Sequence, residues 1–145
     1  MIKHSPSSEH HNTRLIVLAC LILIGLCGSC EVKSTQLDAV AGAFERRQSD
    51  VIVEGEGVVE KILTDDKDGS RHQRFILRLA SGQTVLIQHN VDVAPRVNDL
   101  KVGDAVSFLG EYVWNQQGGL VHWTHHDPAN RHQDGWLKHG GMTYE

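Results

Sequence analysis

The heptapeptide HWTHHDP, residues 122–128, packs three imidazoles and a carboxylate into a short stretch near the C-terminal end. Zinc and similar divalent ions take three or four N, O or S donors at about 2.0–2.3 Å, and histidine with aspartate is the natural set where no thiol is at hand. His122, His125, His126 and Asp127 are therefore candidate ligands, with His89 as a more distant one. Side chains of neighbouring strand residues point to opposite faces, so His125 and His126 can share an ion only where a strand has ended. Asp127-Pro128 is a turn signal at that point. A metal there could activate water with a histidine as general base, which makes a phosphodiester-type hydrolase one function class. A structural Zn or another divalent transition metal is a second. No H-E-x-x-H accompanies the cluster, and the plainer alternative is a set of histidines bonded to the backbone or to carboxylates such as Glu111.

A second constellation is basic. Arg71, His72, Arg74 and Arg78 recur along one short segment, and Asn90 lies across from His72 if that segment folds back on the next. Such a stripe can contact phosphates or uronic acids, or it can be a solvated strand face whose arginines pair with nearby acids. The acidic run TDDKDGS, residues 64–70, opens like a calcium loop, but the twelfth position is Phe75, so the closing bidentate ligand is missing and a polar turn is expected. Nucleophilic catalysis has little support, since no G-x-S-x-G occurs and Ser70, Ser81 and Ser107 have no evident base beside them.

The elements that must position these residues are short strands. The segment RHQRFILRLASGQTVLIQHN contains a three-residue loop, 80–82, ending in Gly82; this pairs Leu79 with Gln83, Leu77 with Val85 and Phe75 with Ile87. Both strands then show their apolar residues on one face, with Gln73 opposite His89 inside and His72 opposite Asn90 outside. VIVEGEGVVEKIL precedes them as a β-branched strand in which Gly55 and Gly57 suggest a bulge or bend. After an irregular VDVAPRVNDLK, VGDAVSFLGEYVW forms a fourth strand and LVHWTHH a fifth, with Tyr112 meeting Val121, Glu111 facing His122, and Gly110 making room for Trp123 inside the barrel. Trp114 and Trp123 are expected as core residues.

Five strands with a bulged first member and a long third-to-fourth connection predict a mainly β fold, an OB-like barrel whose usual ligand surface is the outer face of strands two and three. Residues 31–49 carry Leu37, Val40, Ala41 and Phe44 at helical spacing, with Arg46 and Arg47 at the favourable end, which predicts an N-terminal amphipathic helix or stalk. The barrel domain then covers residues 50–145. Its last part, DPANRHQDGWLKHGGMTYE, has too much Gly, Pro, Asn and Asp to predict an element, although Trp136 and Tyr144 suggest that it docks.

Ahead of the helix, residues 1–30 have the layout of an export signal: Lys3 and Arg14, then thirteen uncharged residues, LIVLACLILIGLC. At 1.5 Å per residue that run is about 20 Å long, short of the ~30 Å hydrocarbon core. LCGSC resembles a bacterial lipobox, making Cys30 a lipidation candidate and lipid or signal anchoring a route to the membrane. The expected location is the bacterial periplasm or cell envelope. Cys20, Cys27 and Cys30 are the three cysteines, so the exported part has no internal disulfide to stabilise it. Formal charge is −4 over 145 residues, with 14 Lys+Arg against 18 Asp+Glu, which gives no strong nucleic-acid signal.

Several strings together, DDKDGSRHQRFI, HNVDVAPR, GDAVSFLGEYVWN and GGLVHWTHHDP followed by GW, resemble a family of small exported bacterial proteins, domain of unknown function 3465. The resemblance runs over about residues 51–136. It implies export and a compact single domain, and places residues 71–74, 89–92 and 122–127 in the family's characteristic pattern without giving any of them a role. The function expected from the residues is a binding module for an anionic or polymeric ligand, with the metal-dependent hydrolase or structural metal site as the alternative.

Overall fold

The structure, a computed structural model, describes residues 37–145. The export segment, the Cys30 lipidation candidate and the first part of the expected helix lie outside the described residues. Helix α1 spans Leu37–Glu45, ending four residues before the expected boundary at residue 49. It stops because Arg47 turns into the left-handed region at φ 51°, where the amide of Gln48 bonds to the carbonyl of Ala43 and that of Arg47 to Phe44. Arg46 and Arg47 therefore follow the helix and do not form its last turn.

Seven strands follow: β1 Val51–Ile62, β2 His72–Leu79, β3 Thr84–Asn90, β4 Ala105–Val113, β5 Leu120–His122, β6 Trp136–His139 and β7 Met142–Tyr144. The pairing order β1-β2-β3-β5-β4 closes through a β1–β4 ladder, with β3 and β5 parallel and the other pairs antiparallel. This is the expected five-stranded OB-like barrel. Its interior holds Phe75 and Leu77 of β2, Ile87 of β3, Phe108 and Tyr112 of β4, and Val121 of β5, all fully buried. Alternation along β2 and β3 places these side chains inward and leaves His72, Arg74, Gln88 and Asn90 on the other face.

The β2–β3 register is the one the hairpin pattern predicts, with Phe75 opposite Ile87, Gln73 opposite His89 and His72 opposite Asn90. In β1 the irregularity falls between Val59 and Lys61 and not at the glycines. The glycines serve close packing: a Cβ on Gly55 would lie 2.7 Å from the Phe108 ring, and one on Gly57 would lie 2.9 Å from the carbonyl oxygen of Arg78. Helix α1 adds Val40 and Ala43 to the core, and Phe44 stacks on half-buried Trp114 at 6.5 Å.

Two expectations near the C-terminus are corrected. The fifth strand ends at His122, because Trp123 takes φ 50° and breaks the alternation that would have sent its indole into the barrel. The space above Gly110 is filled by the chain itself: a Cβ there would lie 2.4 Å from the His122 carbonyl oxygen and 2.9 Å from the Thr124 methyl. The segment expected to lack regular structure forms the β6–β7 hairpin, turned by Gly140 and Gly141 at φ 56° and 79° and anchored by buried Leu137 and Tyr144. It extends the sheet from β4, where Leu137 pairs with Phe108. Two consecutive left-handed glycines match the two-residue turn that suits the twist of paired strands.

Candidate functional site

The basic stripe on β2 separates into two parts. Its arginines are engaged with neighbouring acids: Arg78 with Glu60, Arg74 with Asp66 at 3.9 Å and the Thr64 carbonyl at 3.0 Å, and Arg71 with Asp92 at 3.9 Å. Such surface pairs contribute about 0–1 kcal/mol each and mainly set side-chain direction. Asp92 also accepts the Arg71 amide at 2.7 Å, and its own amide bonds to the Asn90 side-chain oxygen, so the open end of the β2–β3 hairpin is tied down. His72 and Asn90 face elsewhere, into a groove of about 500 Å³ on the outer surface of β2, β3 and β5.

Strands β2 and β3 supply His72, Gln88 and Asn90 to this groove, and β5 supplies His122. The loop after β5 adds Trp123, His125, Arg131 and His132. None of the lining residues among those described is acidic, although acidic side chains outnumber basic ones in the chain. The three aromatic rings form a near-parallel stack: Trp123 lies 4.7 Å from His122 and 4.6 Å from His132 between ring centres, at 15° and 9°. The His125 ring meets His132 edge-on at 5.0 Å.

Asp127 builds the loop that carries His132. It is buried, and its carboxylate accepts the amides of Ala129, Arg131 and His132, as well as the Arg131 guanidinium at 3.4 Å. Burial by itself would raise its pKa; these donors overcome that and hold the carboxyl well below the usual carboxylate range. Asp134 closes the same loop, accepting the Asp127 amide at 2.8 Å and pairing with His126 at 2.8 Å on the exposed side. Its carboxyl is likewise lowered, first by the Asp127 amide and then by His126. Gly135 completes the closure, since a Cβ there would fall 2.0 Å from the Trp123 carbonyl oxygen.

The metal candidates are thereby distributed among different tasks. His89 is fully buried, with Nε2 donating to the Pro95 carbonyl at 3.0 Å and Nδ1 accepting from the Thr124 hydroxyl at 2.9 Å. Both nitrogens are used, and burial lowers its pKa, so it is a neutral structural group. His126 turns outward to Asp134, and Asp127 spends its oxygens on backbone amides. His122 and His125 remain at the groove, the first donating through Nε2 to Glu111 at 3.3 Å and the second through Nδ1 to the His126 carbonyl at 2.8 Å. Among the described residues, no group of three or more His, Cys, Asp or Glu side chains is arranged to hold a metal ion.

Trp123, Gln88, Arg131 and His132 belong to the groove without having been predicted there. The string DPANRHQDG, residues 127–135, contains the signal for His132, an aspartate before a turn-rich stretch that can cap several amides, but only the closed loop shows where the ring lands. A larger hollow of about 650 Å³ lies by Gly57, Val58, Leu79 and Val102. Its charged groups are engaged, Glu60 with Arg78 and Glu56 with the Ser107 hydroxyl at 3.0 Å, so it offers apolar surface and no free chemistry.

A family model described as protein of unknown function (DUF3465) matches residues 22–145. The chain belongs to this family. The match covers the whole barrel, the β6–β7 hairpin and every residue of the groove. No match is found among curated proteins.

Proposed function

We propose that this DUF3465 protein is a non-catalytic binding module of the bacterial cell envelope that takes an anionic ligand, small or polymeric, in the groove across β2, β3 and β5. The observation that carries this reading is the composition of the groove, four imidazoles and Arg131 with no carboxylate lining it among the described residues, within a chain of net charge −4. Local enrichment of titratable cationic groups against an acidic background favours an anion at that place. The volume also falls in the range of small-molecule clefts. A metal-dependent hydrolase is the weaker reading, because Asp127 and His89 have their polar atoms committed to protein partners.

The test is a panel of anions, from sulfate and citrate to uronic-acid polymers and oligothymidylate, titrated against the wild type and a His72→Ala/His122→Ala/Arg131→Ala variant of unchanged circular dichroism. The variant is expected to lose at least tenfold in affinity for whichever anions bind. Unchanged affinity for all of them would remove the groove as the site. Envelope location rests on residues 1–30 and is tested by cell fractionation and by fatty-acid labelling that Cys30→Ala abolishes.

A further inference from the structure

We propose that the groove binds a compact oxyanion, of the phosphate, sulfate or carboxylate kind, and that the anion enters together with protons taken up by the groove histidines. This rests on the anion-binding reading above and adds the size of the ligand and the coupling to protons.

Size follows from the aromatic stack. Single-stranded nucleic acids and many sugars are held on OB-type faces by rings that offer a free π surface. Trp123 is the indole of this groove, and its faces are taken by His122 and His132 at less than 5 Å. The nearest other indoles serve elsewhere: Trp114 packs against Phe44, and Trp136 carries Lys138 Nζ over its ring at 3.9 Å. What the groove does offer is hydrogen-bonding groups, the side chains of Ser70, His72, Gln88 and Asn90, with the Arg131 guanidinium exposed at the rim. Those suit a small charged group and give no base or sugar ring a place to stack.

Proton coupling follows from which ring nitrogens are already used. A carbonyl or carboxylate oxygen can only accept, so His122 carries its proton on Nε2 toward Glu111, and His125 and His132 carry theirs on Nδ1 toward the carbonyls of His126 and Gln133. The remaining nitrogen of His132 lies 3.8 Å from the Asp127 carboxylate, whereas in His122 and His125 the remaining nitrogen of the neutral ring is a lone pair, which repels an oxyanion. Protonation turns that nitrogen into a donor and adds a charge. The groups that face these rings from the neighbouring elements are mixed in sign. His122 faces Glu111 of β4; His132 faces Asp127 at 3.8 Å, and the edge of His125; His125 has His72, His89, His132 and the Asp127 carboxylate near it; and His72 is bridged through its backbone to Asp66, with Arg74 on the same strand face engaged by Asp66. Burial, the largest influence on His125, lowers its pKa, and a bound anion would offset that penalty, so anion and proton each favour the other's binding.

The experiment titrates the purified full chain with sodium sulfate, following imidazole and Trp indole resonances, at about pH 5.5 and about pH 7.5. Sulfate keeps both its charges across this range, so any change in affinity belongs to the protein. The expected result is a shift of the His72, His122 and His125 signals, with sulfate affinity rising, as pH falls, by up to about tenfold per pH unit for each proton taken up. Oligothymidylate in the same salt is expected to bind no more tightly than sulfate. His72→Gln, which removes one of the four groove imidazoles, is expected to lessen the pH dependence by up to one proton's share. Groove shifts with oligothymidylate or a uronic-acid polymer but none with sulfate would overturn the compact ligand while leaving an anion site in place. Sulfate binding of equal strength at both pH values would overturn the proton coupling. If no anion of any size moves the groove signals, the anion reading itself fails with it.

Discussion

Stability should fall as pH drops from 7 to 5, and His89 should account for much of the fall. Its ring is completely enclosed, and both nitrogens are bonded in the neutral form, Nε2 to Pro95 and Nδ1 to Thr124. Protonation would put a second N–H against the Thr124 hydroxyl around a fully buried ring, and burial accordingly holds the pKa below the ordinary imidazole value of 6.5. The unfolded chain, with an ordinary imidazole, binds the proton first, so between the folded and unfolded pKa values it holds more protons than the folded chain. Stability therefore rises with pH through that window and is lost below about pH 6.5. If the folded ring stays neutral throughout, the loss between pH 7 and 5 reaches about 1.9 kcal/mol for this one group, from RT times the logarithm of the unfolded-state binding ratio. His125, also lowered by burial, adds up to a similar amount. Carboxylates held low, Asp65, Asp104 and Asp134, lose their contribution only below about pH 3.8, so they do not blur the result. Urea unfolding followed by Trp fluorescence at the two pH values measures it. His89→Gln should lower stability at pH 7 by about 1–3 kcal/mol, because Thr124 loses its acceptor. The same variant should reduce the pH 7-to-5 loss by up to about 2 kcal/mol. Parallel pH dependence in wild type and variant would refute the burial account of His89.

Other perturbations separate packing from conformation and site from scaffold. Gly119 and Gly141 share a left-handed backbone, φ 87° and 79°, but a Cβ would strike the Tyr112 ring at 2.2 Å in the first and meet nothing within 4 Å in the second. Gly119→Ala should thus cost more than about 3 kcal/mol, summing strain and overpacking, and Gly141→Ala about 1–2 kcal/mol, read from urea midpoints. Asp127→Ala should speed hydrogen exchange of the Ala129, Arg131 and His132 amides at least tenfold while leaving β2 and β3 protected; uniform loss of protection would mean the loop is not a separate unit. Arg96 pairs with Asp65 through two hydrogen bonds at 2.7 and 3.0 Å, yet both groups are reached by solvent, so Arg96→Ala should cost no more than about 1 kcal/mol in the same denaturation assay.

The barrel was legible in the sequence wherever alternation and a recognisable turn coincide. Phe75, Leu77, Val85 and Ile87 alternate on both sides of Ser81-Gly82, and a one-residue slip would have turned all four toward solvent, so the pattern admits one register. The Glu111–His122 pairing followed from the same rule. The β6–β7 hairpin was missed because its strands are four and three residues long, too short to show a period, and the signal lay only in Gly140-Gly141 between Leu137 and Tyr144.

What the sequence determined by itself is the set of inward and outward positions: His72 and Asn90 on one face, His89 and Gln73 on the other. Tertiary structure decided the rest of the groove. Local pattern carries no information about a single left-handed residue at Trp123, and that one φ value removes an indole from the core and lays it between two imidazoles. Nor could spacing distinguish an aspartate that binds a ligand from one that binds backbone. Asp127 looked like the acidic member of a metal cluster, and the folded loop directs its oxygens to three amides, because a buried carboxylate takes the nearest donors and the closing chain brings its own. HWTHHDP thus contributes His122, Trp123 and His125 to a groove, and Asp127 to the loop that completes it.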